Sequence, residues 1–188
     1  IRAPASKSGR GYAWITFLPG DEVSVGLEGP NGETWIEAVA PEHEKGFEDG
    51  PNTAGVVNNV FKTGASLAPV TNGAVIVWSG EWAEDSEFAI HLSGHGQAQM
   101  WLTSTGDLAE TSGLLFKSAI RQGTINVPAS APTLLAVGCT LNRLVWPTVN
   151  GPNKPVELQA FGGDLEPETD SGCFFSSSGP TPGGLPKP

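Results

Sequence analysis

Glu22-Val23-Ser24-Val25-Gly26-Leu27-Glu28-Gly29-Pro30-Asn31-Gly32-Glu33-Thr34-Trp35-Ile36-Glu37-Ala38-Val39 is the stretch that decides the fold. Val23, Val25 and Leu27 take every second position with Ser24 and Gly26 between them, and a side-chain period of two belongs to a strand with one buried face. Gly29-Pro30-Asn31-Gly32 supplies turn chemistry, and Thr34 to Val39 returns to strand composition, so the stretch predicts a hairpin. Toward the N-terminus, Trp14 and Leu18 flank Ile15-Thr16-Phe17 in a further strand pattern. Toward the C-terminus, strands are predicted over Val56 to Phe61 and Ala74 to Trp78. Phe88, Ile90 and Leu92 then alternate before Gly94-His95-Gly96, and Ala98, Met100 and Leu102 alternate after it, predicting a second hairpin. Pro41 to Asn52, polar and ending in Gly and Pro, is expected to be a surface loop.

About eight strands at regular spacing favour a two-sheet sandwich of jelly-roll type over residues 8–122. The composition agrees: 25 Gly and 16 Pro with only 16% charged residues leave little for long amphipathic helices. The fold class expected is mainly β. Four of the six Trp, at 14, 35, 78 and 101, lie inside strand patterns and are expected in the core, while Trp82 among Glu81, Glu84 and Asp85 is expected outside.

After Gly123 the pattern changes. Thr133-Leu134-Leu135-Ala136-Val137-Gly138 is apolar without alternation, which suits a strand covered on both faces, as in a parallel α/β sheet. Residues 123–188 are therefore assigned to a second domain. Cys139 and Cys173 are either a disulfide, worth roughly 3 to 4 kcal/mol in the chain-entropy model, or two buried thiols.

Charge narrows the partners. Twenty acidic against ten basic residues give a formal charge of -10, which repels phosphate backbones and anionic headgroups, so neither nucleic acid nor a membrane is an expected partner. No apolar run approaches the ~20 residues of a membrane-spanning helix. Ile1-Arg2-Ala3-Pro4 lacks the apolar core of a secretion leader, and a chain opening this way is expected to be a processed or excised piece.

Two stretches resemble a known family. Val127-Pro128-Ala129-Ser130-Ala131-Pro132-Thr133-Leu134-Leu135-Ala136-Val137-Gly138 is similar to the strand motif PA-x-A-x-x-hydrophobic-x-VGA of subtilisin-like serine proteases, with Cys139 where the family usually has Ala. Phe175-Ser176-Ser177-Ser178-Gly179-Pro180-Thr181, ending in Lys187-Pro188, resembles the family's FSS-x-GPT-x-DGR-x-KP, with Gly183-Gly184-Leu185 in place of Asp-Gly-Arg. The resemblance covers about a third of the chain. Some members carry a jelly-roll inserted ahead of this strand, where residues 8–122 stand.

The resemblance implies a piece of a secreted serine endopeptidase. In the family, the Asp and His of the triad and the oxyanion Asn precede this region, and the nucleophilic Gly-Thr-Ser follows it. No catalytic residue is expected here; Ser176, Ser177 and Ser178 belong to a structural turn. Substrate-binding positions carried over are Asn126 at the base of the specificity pocket, Pro128 and Ala129 beside it, and Phe175 near the leaving-group side. A cis Val127-Pro128 bond is implied, as is a weak cation site at the carbonyls of Ala129, Ala131 and Leu134. Expected partners are companion chains bearing the Asp, His and Ser motifs, and the parent's peptide or protein substrate.

His43, His91 and His95 are too scattered for zinc. Calcium is the cofactor that the acidic clusters at Glu81, Glu84, Asp85 and Glu87 or at Asp164 to Asp170 suggest, though neither has a regular ligand spacing, and none is the expectation. Two other functional classes stay open: a sandwich binding module recognising glycan or protein, signalled by a row of exposed Trp on one sheet face, and a structural spacer without any concave surface.

Overall fold

The computed structural model describes residues 1–5, 7–59, 72–105, 113–120, 123–125, 129, 131–155, 168–173, 176–181 and 185–187. Among these residues the regular elements are all strands, with no helix, so the fold is mainly β. The chain forms two compact units, Ile1–Lys117 and Ser118–Pro188.

The first unit is an antiparallel sandwich. Its larger sheet has the order β10 (Ala98–Ser104), β2 (Lys7–Phe17), β7 (Asn72–Trp82), β6 (Asn52–Asn58), β5 (His43–Asp49); the smaller has β4 (Thr34–Val39), β3 (Glu22–Glu28), β9 (Ala89–His95). Two short strands, β1 (Arg2–Ala3) and β8 (Ser86–Glu87), pair beside them. Alternation decides which side chains go inside. Val23, Val25 and Leu27 of β3 are buried, as are Ala13, Ile15 and Phe17 of β2 and Ala74, Ile76 and Trp78 of β7. Each such apolar side chain contributes roughly 1.5–3 kcal/mol when fully buried. Trp78 lies at the centre with no exposed surface, and a Cβ at Gly11 would collide with its indole, so the register Gly11↔Trp78 requires glycine.

One buried polar group crosses the sandwich. Asn58 at the end of β6 has no exposed surface, and its amide donates to Val23 O at 2.7 Å and Val39 O at 2.9 Å, one on β3 and one on β4. These bonds tie the two sheets together and fix how they slide against each other.

The predicted β3–β4 hairpin is present. Three other expectations are corrected. Pro41 to Asn52 is not a loop: β5 pairs with β6 from His43↔Asn58 to Asp49↔Asn52, turning at Gly50, which has φ 55°. Its charged residues mark it as an edge strand, where charge discourages pairing with other chains. The second hairpin is absent as well. Although β9 and β10 are joined by Gly94-His95-Gly96, β9 pairs with β3 and β10 with β2, so the chain crosses from one sheet to the other. Gly94 and Gly96, with φ 120° and 137°, supply that bend.

The third correction concerns the Trp residues. Trp14 is 49% exposed and Trp82 only 6%, the reverse of expectation. Ala13, Ile15 and Phe17 take the inner face of β2, which turns Trp14 out, whereas Trp82 continues the inner series of β7 and meets Phe88 edge-on. Trp35 and Trp78 are core, as expected.

In the second unit, β11 (Val145–Thr148) and β12 (Gly151–Pro155) form a hairpin. The run at 133–138 is not a strand here: Leu134 is 47% exposed, Leu135 90% and Val137 84%. A strand buried on both faces needs a neighbour on each side, and the described residues provide none.

Candidate functional site

The second unit brings the two family-like motifs together through three sets of contacts. Nearest the chain's end, the Lys187 ammonium donates to Ala129 O at 2.7 Å, Ala131 O at 2.8 Å and Leu134 O at 2.6 Å. An ammonium has three N–H groups, and here each has a carbonyl. The chain's own ammonium thus stands at the three carbonyls for which the resemblance implies a weak cation site. Three convergent carbonyl dipoles leave little reason for a second positive charge, since a like charge within a few ångströms is repelled.

The second set surrounds the disulfide. Cys139 and Cys173 are bonded, and Cys173 is 2% exposed. Backbone hydrogen bonds flank the bridge, from Cys173 N to Cys139 O and from Leu141 N to Ser171 O, both at 2.9 Å. The Ser176 hydroxyl accepts from Cys139 N at 3.1 Å. Ser176 thus links the segment after the disulfide to Cys139, and its hydroxyl also donates to Ser177 O at 3.4 Å.

The third set joins the start of the unit to its end. Thr124 N donates to Ser178 O at 3.0 Å, and Ser178 N donates to Thr124 Oγ1 at 2.8 Å. Beyond it Thr181, buried at 6%, exchanges two hydrogen bonds with Leu185: Thr181 N donates to Leu185 O, and Leu185 N to Thr181 Oγ1. Gly179 is required where it stands, because a Cβ there would meet the Lys187 carbonyl.

Of the positions that the resemblance implies for a substrate pocket, Ala129 is described, and its carbonyl faces the Lys187 ammonium. Asn126, Pro128 with the Val127-Pro128 bond, and Phe175 lie outside the described residues, as does the part of the acidic cluster from Asp164 to Pro167. The other acidic cluster is held by cations of the chain: Asp85 pairs with Arg2 at 2.9 Å and Glu87 with Lys117 at 2.7 Å. The Lys117 ammonium also holds the Glu87 carboxyl below its ordinary pKa. Among the described residues, no group of three or more His, Cys, Asp or Glu is placed to hold a metal. His91 instead meets Glu28 at 3.1 Å.

A feature not foreseen in the sequence lies on the first unit. The outer face of the five-stranded sheet carries a groove of about 500 Å³, lined by Arg10, Glu48, Thr53, Gly55, Val77 and Ser79 among others. Its floor includes Gly46 and Gly55, two glycines that the β5–β6 register sets directly opposite, a pairing that the sequence alone does not display.

No family model and no curated protein matches this chain. Among solved structures, that of the Clostridium perfringens CspB protease aligns over 100% of the chain, with a TM-score of 0.56 and 15% identity. The fold is shared with a protease. The chain spans 36% of that protein's length.

Proposed function

We propose that this chain is an internal part of a subtilisin-like serine endopeptidase, in which residues 8–122 are an inserted sandwich and 123–188 contribute sheet and substrate-pocket wall, without a triad residue. The observation that carries the reading is the exposed run Leu134 to Val137. Leu135 and Val137 are 90% and 84% exposed within a sequence suited to the middle of a parallel sheet. Residues of this kind belong against further strands, and a fold shared with a protease nearly three times as long supports a source for such strands in the rest of a longer protein.

Two further points support it. The family-like motifs, some fifty residues apart, converge on one knot through Lys187, Ser176 and Thr124. The disulfide fits an oxidising, extracellular setting. In this role the chain alone hydrolyses nothing; its contribution is to shape the pocket beside a Ser–His–Asp centre held by the rest of the protein.

The coding sequence on either side tests this directly. We expect Asp and His motifs upstream and a Gly-Thr-Ser motif downstream. Flanks that encode an unrelated protein, or stop codons bounding these residues closely, would overturn the proposal.

A further inference from the structure

The outer face of the large sheet has three parallel rows of side chains, set by strand register. One row is polar: Glu48, Thr53, Ser79 and Arg10 are cross-strand neighbours on β5, β6, β7 and β2. The next has two glycines, Gly46 and Gly55, on β5 and β6, followed by Val77 and Tyr12 on β7 and β2. The third is apolar beyond its edge residue, running from Glu44 through Val57 and Val75 to Trp14. Cross-strand neighbours stand side by side on one face, so these rows are continuous across four strands. Gly46, Gly55 and Val77 of this row form the floor of the groove. A Cβ at Gly55 would meet nothing within 4 Å, and one at Gly46 only Ala54 O at 3.8 Å.

We infer that this trough binds a short, neutral oligosaccharide. Its dimensions follow from the sheet: three interstrand steps of about 4.8 Å make it roughly 14 Å long, and adjacent rows stand about 6.7 Å apart. One wall offers hydrogen bonds of both kinds. Among the described residues the Glu48 carboxylate has no partner, the Arg10 guanidinium spends one N–H on Tyr12 Oη at 3.2 Å, and the Thr53 and Ser79 hydroxyls meet at 2.8 Å with capacity left over. One row beyond the groove's lining, on the same sheet face, stand Val57, 39% exposed, and Trp14, 49% exposed. A sugar ring has the matching asymmetry, with hydroxyls around its edge and a C–H face that rests on an indole.

Charge selects among occupants. The trough carries one cation and one anion, Arg10 and Glu48, on a chain of formal charge -10. An acidic polymer is repelled by the whole; a basic one is attracted by the net charge anywhere on the chain, while within the groove Arg10 and Glu48 offset each other. An extended peptide added by strand pairing needs free backbone N–H and C=O groups. Along β2, β6 and β7 those groups are already used by neighbours on both sides. Side-chain donors and acceptors over a backbone floor suit hydroxyl groups.

The test is a titration of the whole chain with cellohexaose and with chitohexaose, read by Trp fluorescence and by the Trp14 indole N–H resonance. Saturable binding of at least one of these sugars is expected, weakened at least tenfold by Trp14→Ala and by Gly55→Leu. The latter fills the floor at a position with open space, so its fold can be checked by unchanged thermal unfolding. Glu48→Gln, which keeps the shape, should weaken binding less. Heparin and an unstructured casein peptide serve as competitors. The inference is overturned if neither sugar binds up to millimolar concentration, if only heparin or casein binds, or if folded Gly55→Leu binds sugar as the native chain does. None of these results bears on whether triad motifs flank the chain.

Discussion

The two units treat their apolar residues in opposite ways. In the first, Ile15, Ile76, Val25 and Leu27 are at most 1% exposed, and the sheets that cover them come from the same unit. In the second, Leu135, Val137 and Val149 are 84–96% exposed, and order comes from a disulfide, a lysine among carbonyls and turn hydrogen bonds. The difference teaches how self-sufficiency is written in a fold. A unit that encloses its own apolar surface is stabilised by burial, whereas one that cannot is held by covalent and polar ties at particular points.

The sharpest way to break that comparison is to attack each unit at its own support. Trp78→Ala should lower the unfolding free energy of the sandwich by about 3–5 kcal/mol, measured by urea titration followed by fluorescence, because the indole is fully enclosed. A loss below about 1 kcal/mol would mean that the sheets are not packed around it. Reduction of Cys139–Cys173, whose partners are 34 positions apart, should cost the second unit about 3–4 kcal/mol. Amide exchange at Leu141 and Cys173, whose N–H groups are bonded across the bridge, reports it. Unchanged protection there would show that the polar ties suffice alone.

Lys187→Met tests the smaller polar support. The side chain keeps its length and loses three bonds to carbonyls; since the ammonium is partly exposed, the effect expected is about 1–2 kcal/mol, at the low end for charged hydrogen bonds. Faster proteolysis near residues 129–134 is the readout, and equal rates would remove the lysine from the list of supports. In the same region Asn126→Asp, introduced into the intact parent, should raise preference for basic residues before the scissile bond. An unaltered preference would take Asn126 out of the pocket.

How much of this was legible in the sequence depended on whether one residue's neighbours settled its side. Val23, Val25 and Leu27 alternate with small or polar residues, and their burial followed directly. On β2 the inner series begins with Ala13, too small to announce itself, so the bulk of Trp14 misdirected the assignment. β5 carried no apolar alternation because at the sheet edge only Phe47 of its residues turns to the core, where it stacks on Trp35, and one apolar residue makes no period. Gly94-His95-Gly96 has the same turn chemistry whether the chain doubles back in one sheet or crosses to the other, and only pairing decides. The two motifs were legible because each is a fixed string of residues, whereas their convergence, through contacts such as Lys187 with Ala129 and Ser176 with Cys139, was not read from the sequence. The trough was not, since a bare floor needs two glycines placed opposite each other by a register that sequence does not display.

Leu135 and Val137 carry the smallest expected effect and the most informative one. In the isolated chain both side chains stand in water, so Leu135→Ser with Val137→Ser removes no packing, and stability should change by no more than about 0.5 kcal/mol. In the full-length protein the same pair should be severe, because each side chain buried between strands contributes roughly 1.5–3 kcal/mol. The comparison needs two measurements with one double variant: thermal unfolding of this chain, and yield of folded full-length protein. A large loss in the isolated chain would mean that the run is already packed on its own unit. Equal yields of full-length native and variant protein would mean that nothing covers it, and the contrast between a closed unit and an open one would have lost its cause.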